Sequence, residues 1–350
     1  MEPLMKHRSR SVLIHPSFRA DALYGRRVAS LRTSAIDPAF HYLGVRQADL
    51  WLKVHQRHAP GSVDPNLNDI YRNLAADLSH ALAGRHVHLI GLGAGGGEKE
   101  AMILQALSRA SCRLRYTPAD ISPELALSSA EAAETLVDCP IFPVVGDLSM
   151  LSDTRDWLGA DDGEEVRVYT AFGITPNFSP STLFALLADA LRPQDHLLIS
   201  ANLAPVLDDD DADYRRACRS LISQYDNVET RVWLRQVLID WGIAPRLSEP
   251  AFELGVMEGI TGFFAISHWL AETRFDFDGE EFSAAQGEPL RLFFSLRYTD
   301  RRLREKVAEH GLSLGRGYVT ATGQEGVYPA RRAPATPRSR QPRSSRTAPR

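Results

Sequence analysis

The feature that most constrains this chain is a glycine-rich turn, Gly91-Leu92-Gly93-Ala94-Gly95-Gly96-Gly97, set between HVHLI (86–90) and EKEAMILQALSRA (98–110). The first flank reads as a short strand and the second as a helix. Glycines let the backbone turn sharply and let a ligand approach without a Cβ in the way. The helix that follows offers free N–H groups and the positive end of its dipole.

The strand–helix alternation continues downstream. RLRYTPAD (113–120), IFPVVGD (141–147), EVRVYTAFG (165–173) and DHLLISANL (195–203) read as further strands. Pro123 to Leu136, with Ser122 as N-cap, reads as a helix between them, and another opens at Ser179-Pro180 and runs to about Leu191. This order predicts an α/β fold, a Rossmann-like, doubly wound and mostly parallel sheet. Upstream, Ala48–His55 and Tyr71–Leu82 carry apolar residues at helical spacing. Downstream of Asp208, helical stretches at 214–223 and 230–240 precede strands at 253–259, 262–271, 273–277 and 291–298 and a helix at 299–310. The expected organisation is a helical N-terminal cap (1–84), a cofactor-binding core (85–205), a substrate-side α+β portion (206–328) and a disordered basic tail (329–350).

Composition supports a globular chain: 44% of the 350 residues are hydrophobic and 24% charged. No run of eighteen apolar residues exists, and the first fifteen residues lack the apolar stretch of a secretory signal. Cys112, Cys139 and Cys218 are widely separated and fit neither metal spacing nor a disulfide framework. These features predict a reduced, cytoplasmic setting with no membrane partner and no bound metal. The net charge is −4, but Arg331–Arg350 holds seven Arg and no acid, which leaves −11 on the rest. An acidic body does not suit nucleic acid, so a small-molecule substrate is the expected partner.

Read as Gly91, Gly93 and Gly96, the loop satisfies the dinucleotide pattern G-x-G-x-x-G. Read as Gly91, Gly93 and Gly95, it fits the G-x-G-x-G loop of S-adenosylmethionine enzymes. Asp120 ends the second strand, where a carboxylate can accept both ribose hydroxyls. Asp147 ends the third, where it could accept the exocyclic amine of an adenine. Carboxylates at successive strand ends favour an adenosyl ligand without a second nucleotide.

GLGAGGGEKEA, with Lys99 two residues past the glycines, resembles the cofactor loop of class I S-adenosylmethionine-dependent methyltransferases, and more narrowly that of the histidine-specific Nα-methyltransferases of ergothioneine biosynthesis. TAFGITPNFSP (170–180) resembles that group's Gly…Asn-Phe loop, and FFSLRYT (293–299) its Glu-x-Ser-x-Lys-Tyr strand motif. The resemblance covers roughly residues 70 to 325. It implies that Gly91, Gly93, Gly95, Lys99, Asp120, Asp147, Phe172 and Gly173 hold S-adenosylmethionine. It implies that Asn177 meets the backbone of an amino-acid substrate, while Ser295, Phe293 and Tyr298 line its side-chain pocket. Two positions depart from the pattern. Phe293 stands where the group has the Glu that recognises imidazole, and Arg297 stands where it has Lys. The amino-terminal tyrosine-rich signature is replaced by FHYLGVRQADLWLKVHQRHAP (40–60). A pocket that exchanges a carboxylate for a phenyl ring should not select histidine.

Two reactions follow as expectations. An external amine of a small amino-acid-like substrate could take the methyl group. Alternatively, the α-amine of S-adenosylmethionine could attack its own γ-carbon, giving azetidine-2-carboxylate and methylthioadenosine, as in azetidine-2-carboxylate synthases. A non-catalytic cofactor sensor is the third possibility. Phe172, Phe178, Phe293, Phe294, Tyr42 and Tyr298 are the rings that could face a cation. His55 and His58 read as surface or cleft residues, Asp208–Asp211 as a solvated loop, Trp233 and Trp241 as core, and Glu253 and Glu258 as less favoured bases.

Overall fold

The computed structural model describes residues 11–58, 64–158, 163–206 and 210–333. The elements in chain order are β1 (Leu13–Ile14), α1 (Ala20–Arg32), α2 (Val45–His58), α3 (Leu67–Ala81), β2 (His86–Leu92), α4 (Glu98–Arg109), β3 (Arg113–Asp120), α5 (Pro123–Glu134), β4 (Val144–Val145), α6 (Thr154–Leu158), β5 (Val166–Ala171), α7 (Pro180–Ala190) and β6 (His196–Asn202). There follow α8 (Asp211–Ser220), α9 (Val228–Asp240), β7 (Ala251–Met257), β8 (Ile260–His268), β9 (Thr273–Phe277), β10 (Glu280–Ala284), β11 (Pro289–Leu296), α10 (Asp300–Ala308), β12 (Leu312–Leu314), β13 (Tyr318–Val319) and β14 (Glu325–Arg332).

The central sheet runs β1-β4-β3-β2-β5-β6-β14-β12, with β13 on β14. It is parallel from β1 to β6, and β14 joins β6 antiparallel. The strand order reverses between β2 and β5. Ligands of doubly wound sheets bind at the carboxyl ends of the strands at such a point. The sheet is sealed on both faces. Tyr71, Leu74, Ile103, Leu104 and Val327 belong to one apolar cluster, and Leu183, Phe184, Leu187, Ile199 and Tyr328 to the other.

A second layer sits over the strand ends. A three-stranded antiparallel sheet, β11-β8-β7, packs with α9 and with residues from the chain's start. Leu31, Ile36 and Phe40 share one core with Trp233, Val237, Leu238, Leu292 and Phe293.

The strands and helices expected from the sequence largely agree with this structure. Ser122 caps α5 by accepting the Leu125 amide, and Ser179 caps α7 in the same way. The expected third strand shortens to Val144–Val145: Ile141 still bridges Tyr116, but Pro143 has no N–H to carry the ladder on between them. The hairpin strand β10 has a polar sequence, EEFSA, that carries no strand signal.

The expected segmentation needs correction. The start of the chain is not a separate helical cap: β1 extends the central sheet, α3 packs on the core, and α1 shares its core with α9 and β11. The boundary at 329 is also wrong, since β14 runs through Arg332, where its ladders to β6 and β12 satisfy the backbone. Residues 334–350 of the expected tail lie outside the described residues. Among the described residues, no helix is long and apolar enough to cross a membrane.

Candidate active site

A cavity of about 280 Å³ opens at the switch point, with the glycine turn as its floor. Gly93, Gly95 and Gly97 hold φ values of +61°, +54° and +80°, a region L-residues rarely adopt. The turn is also tight: a Cβ on Gly93 would lie 2.4 Å from Ile174 Cγ2, and one on Gly95 would lie 3.2 Å from Trp51 Cη2. Gly91 does not line the cavity. It sits in β2, where a Cβ would crowd Tyr116 and Glu100, so its role is close packing beneath the turn.

The two strand-end carboxylates both line the cavity but differ in state. Asp120 is 6% exposed; its Oδ2 accepts the Gly95 amide at 3.1 Å and its Oδ1 the Ser122 amide at 2.9 Å. Burial raises its pKa to about 6 against the opposing pull of those amides. Among the described residues it has no cationic partner. Asp147, by contrast, is engaged on both oxygens. Oδ1 accepts the Ser149 amide at 2.7 Å, and Oδ2 pairs with Arg26 at 2.9 Å. Arg26 holds Asp37 with its other edge, so it links α1 to the end of β4.

Lys99 Nζ lies 3.2 Å from Glu325 Oε1 and 4.7 Å above the Tyr71 ring, and the Tyr71 hydroxyl donates to the same carboxylate oxygen at 2.6 Å. Glu100 is buried, accepts Thr170 Oγ1 at 2.8 Å, and is pushed up to about 7 by burial.

The opposite wall is aromatic. Tyr42 meets Trp51 at 5.8 Å and Trp233 at 5.7 Å, and Trp233 meets Phe293 at 5.4 Å. Trp233 Nε1 donates to the His41 carbonyl at 2.7 Å, which fixes the ring. Burial, with Asp120 nearby, holds the Tyr42 hydroxyl well above the ordinary phenol range. At the far end Ser295 Oγ lies 3.0 Å from the Tyr225 hydroxyl.

Gly93, Gly95, Lys99, Asp120, Asp147, Phe172, Gly173, Asn177, Phe293 and Ser295 are thus brought to one cavity. Tyr298 is not. It is fully buried in the core on one face of the central sheet, because strand alternation after the irregularity at Arg291/Phe293 sends residues 293, 295 and 297 one way and 298 the other. Of the rings named as cation partners, Phe294 also turns away and stacks on Phe264 at 6.0 Å. Glu253 is exposed on β7, and Glu258 accepts the amide and hydroxyl of Ser181; neither reaches the cavity. His55 stacks on Trp51 at 5.0 Å, and His58 Nε2 lies 3.2 Å from Glu229. Asp208 and Asp209 lie outside the described residues, whereas Asp210 caps α8.

Sequence reasoning missed Arg26, Glu100, Tyr225 and Glu325. Glu100 left one trace, a charged residue on the apolar face of α4 beside Ala101, Ile103 and Leu104. The other three left none.

The residues at the turn fit an adenosyl ligand: a cradle that any Cβ would fill, and a buried carboxylate without a counter-ion at the rim. Comparisons with solved structures find the CcbJ methyltransferase of Streptomyces caelestis (14% identity, 79% of this chain and 100% of that one, TM-score 0.36). They also find the 1,6-didemethyltoxoflavin-N1-methyltransferase of Burkholderia thailandensis (15% identity, 89% and 91%, TM-score 0.40). Similarity at this level says nothing about activity. No curated protein matches the chain. Residues 68–212 match a family model described as histidine-specific, S-adenosylmethionine-dependent methyltransferase. This span holds the glycine turn, Asp120, Asp147 and Asn177, but not the aromatic wall or Ser295. The similarity to S-adenosylmethionine-dependent methyltransferases thus lies in residues 68–212, the part of the chain that carries the glycine turn and both strand-end carboxylates.

Proposed function

We propose that the protein transfers a methyl group to the amine of a small amino-acid-like substrate other than histidine. The observation that carries this reading is the wall facing the glycine turn. Tyr42, Trp51, Trp233 and Phe293 form it, and neither α9 nor β11 adds a carboxylate to the lining. Bound S-adenosylmethionine supplies a methyl group on a positively charged sulfur. Asp120 would accept its ribose hydroxyls, and the turn would pass beneath its amino-acid portion. Rings at the wall favour the cation by roughly 0.5–2 kcal/mol each when water is excluded. Desolvation there also lowers an amine's pKa, so the nucleophile enters neutral and needs no strong base. Asn177, on the turn after β5, lines the cavity where it can hold the substrate's amino-acid backbone.

The same wall favours a second reading, in which S-adenosylmethionine is the only substrate. Its α-amine attacks its γ-carbon, a C–N bond forms, the C–S bond breaks, and the electron pair leaves on methylthioadenosine. Phe293 in place of an imidazole-binding carboxylate suits a site that takes no second side chain.

Incubation of the purified protein with S-adenosylmethionine, alone and with the twenty amino acids, separates the outcomes. S-adenosylhomocysteine formed only with an added amino acid other than histidine supports methyl transfer as proposed, and its formation with histidine alone overturns the exclusion of histidine. Methylthioadenosine formed without one supports ring closure and overturns the first reading. No turnover with cofactor binding retained overturns both.

A further inference from the structure

At the far end of the cavity, hydrogen bonds fix the polarity of each group in turn. Arg297 is fully buried, and among the described residues no carboxylate pairs with it. Its guanidinium donates to the carbonyls of Leu203 (3.0 Å) and Gln324 (3.3 Å), to Gln224 Oε1 (3.2 Å) and to the Tyr225 hydroxyl (3.1 Å). Asn202 Nδ2 donates to the same phenolic oxygen at 3.3 Å. A phenol oxygen donates one hydrogen bond and accepts about two. Both acceptor positions are filled, so the Tyr225 proton goes to Ser295 Oγ at 3.0 Å. The Tyr225 ring is held in this orientation by stacking on Phe263 at 4.4 Å.

Ser295 therefore accepts from Tyr225, and its own proton is free to point into the cavity it lines, where the residue is only 2% exposed. A fixed donor, backed two residues along the chain by a buried guanidinium without a counter-charge, disfavours an ammonium or an imidazolium and favours an anion. We propose that Ser295 meets a ligand carboxylate in this cavity, and that Arg297, acting through Tyr225, is the positioning residue that sets the donor. The inference rests on the reading above, in that the ligand is an amino acid. That carboxylate belongs either to a second amino acid or to S-adenosylmethionine itself.

The test pairs each ligand with its decarboxylated form. Calorimetry measures S-adenosylhomocysteine and its decarboxylated analogue on the wild type, Ser295→Ala and Tyr225→Phe, which keeps the stacked ring. Steady-state kinetics compare whichever of the twenty amino acids is methylated with the same amine lacking its carboxyl. If the carboxylate is the cofactor's, Ser295→Ala weakens S-adenosylhomocysteine about tenfold and leaves the decarboxylated analogue within about twofold. If it is the acceptor's, cofactor affinity stays put and KM for the amino acid rises about tenfold with kcat little changed, while the plain amine is unaffected. Tyr225→Phe follows Ser295→Ala in whichever arm responds, and Arg297→Lys recovers part of the discrimination that Arg297→Met loses. An equal effect on carboxylated and decarboxylated ligands in both arms, or no effect in either, overturns the proposal. Absence of S-adenosylhomocysteine binding in the wild type would overturn the cofactor reading instead.

Discussion

Arg26 Nη1 lies 2.9 Å from Asp147 Oδ2 while the same guanidinium holds both oxygens of Asp37. One side chain from α1 thus ties the start of the chain to the carboxylate expected to meet adenine. The contact is only partly exposed, 23% and 19% for the two side chains, so it is less screened than a surface pair. Ser17 adds to it by accepting the Asp147 amide at 3.0 Å, next to β1.

Replacing Arg26 with alanine should release this corner. The expected result is a 3- to 10-fold loss of S-adenosylhomocysteine affinity, seen by calorimetry, with faster release as the main kinetic change. Unchanged affinity and release would show that the pair serves the fold alone.

Two glycines on the cavity rim give a matched comparison. Gly173 has φ +75° with open space around its Cβ position, whereas Gly93 has φ +61° and Ile174 Cγ2 at 2.4 Å. Gly173→Ala should cost about 1 kcal/mol, from backbone strain alone. Gly93→Ala adds a steric clash and should cost roughly 2–4 kcal/mol. Denaturant unfolding measures both; equal costs would mean that Ile174 yields freely.

Glu100 makes stability depend on pH. Burial raises its carboxyl from 4.5 to about 7, so the fold prefers the protonated form. Its contribution is complete below the unfolded value near 4.5 and is lost as the pH rises through about 7. Glu100→Gln keeps an acceptor for Thr170 and removes the charge. The variant should match the wild type near pH 5 and exceed its stability at pH 9 by roughly 2–3 kcal/mol. Melting curves at the two pH values decide it, and a constant difference would count against a buried ionising Glu100.

Trp51 tests the wall with little disturbance of the core, because it is half-buried and rests on the glycine turn. Trp51→Ala should lower kcat/KM at least tenfold, combining a lost cation-facing ring with water entry. The stability change should stay within about 2 kcal/mol. Full activity in a well-folded variant would remove Trp51 from the wall.

Much of this molecule was legible residue by residue. RLRYTPAD (113–120) forms a strand over its full length because Asp120 and the residues after it end the extended run, and Ser122-Pro123 starts a helix for local reasons of capping and fixed φ. Tyr298 belongs to the same sequence motif as Phe293 and Ser295 but lies in the sheet core and not at the cavity. The alternation of side chains along β11, continued to Tyr298 where it bridges Leu203, separates it from Phe293 and Ser295. Asp147 lines the cavity, but its Arg26 partner lies 121 residues away, and nothing in either neighbourhood announces the pair.

The amino-acid order by itself determined the alternation of strands and helices, the sharp turn at Gly91–Gly97 and the carboxylate at its rim, since each depends on contacts within a few residues. Only the folded chain decided what faces that turn. Residues 42, 51, 225, 233, 293 and 295 come from five separate stretches and meet because α9 and β11 share a core with the start of the chain. Long-range apolar packing has no local signature, so the aromatic wall of the cavity appears only in three dimensions.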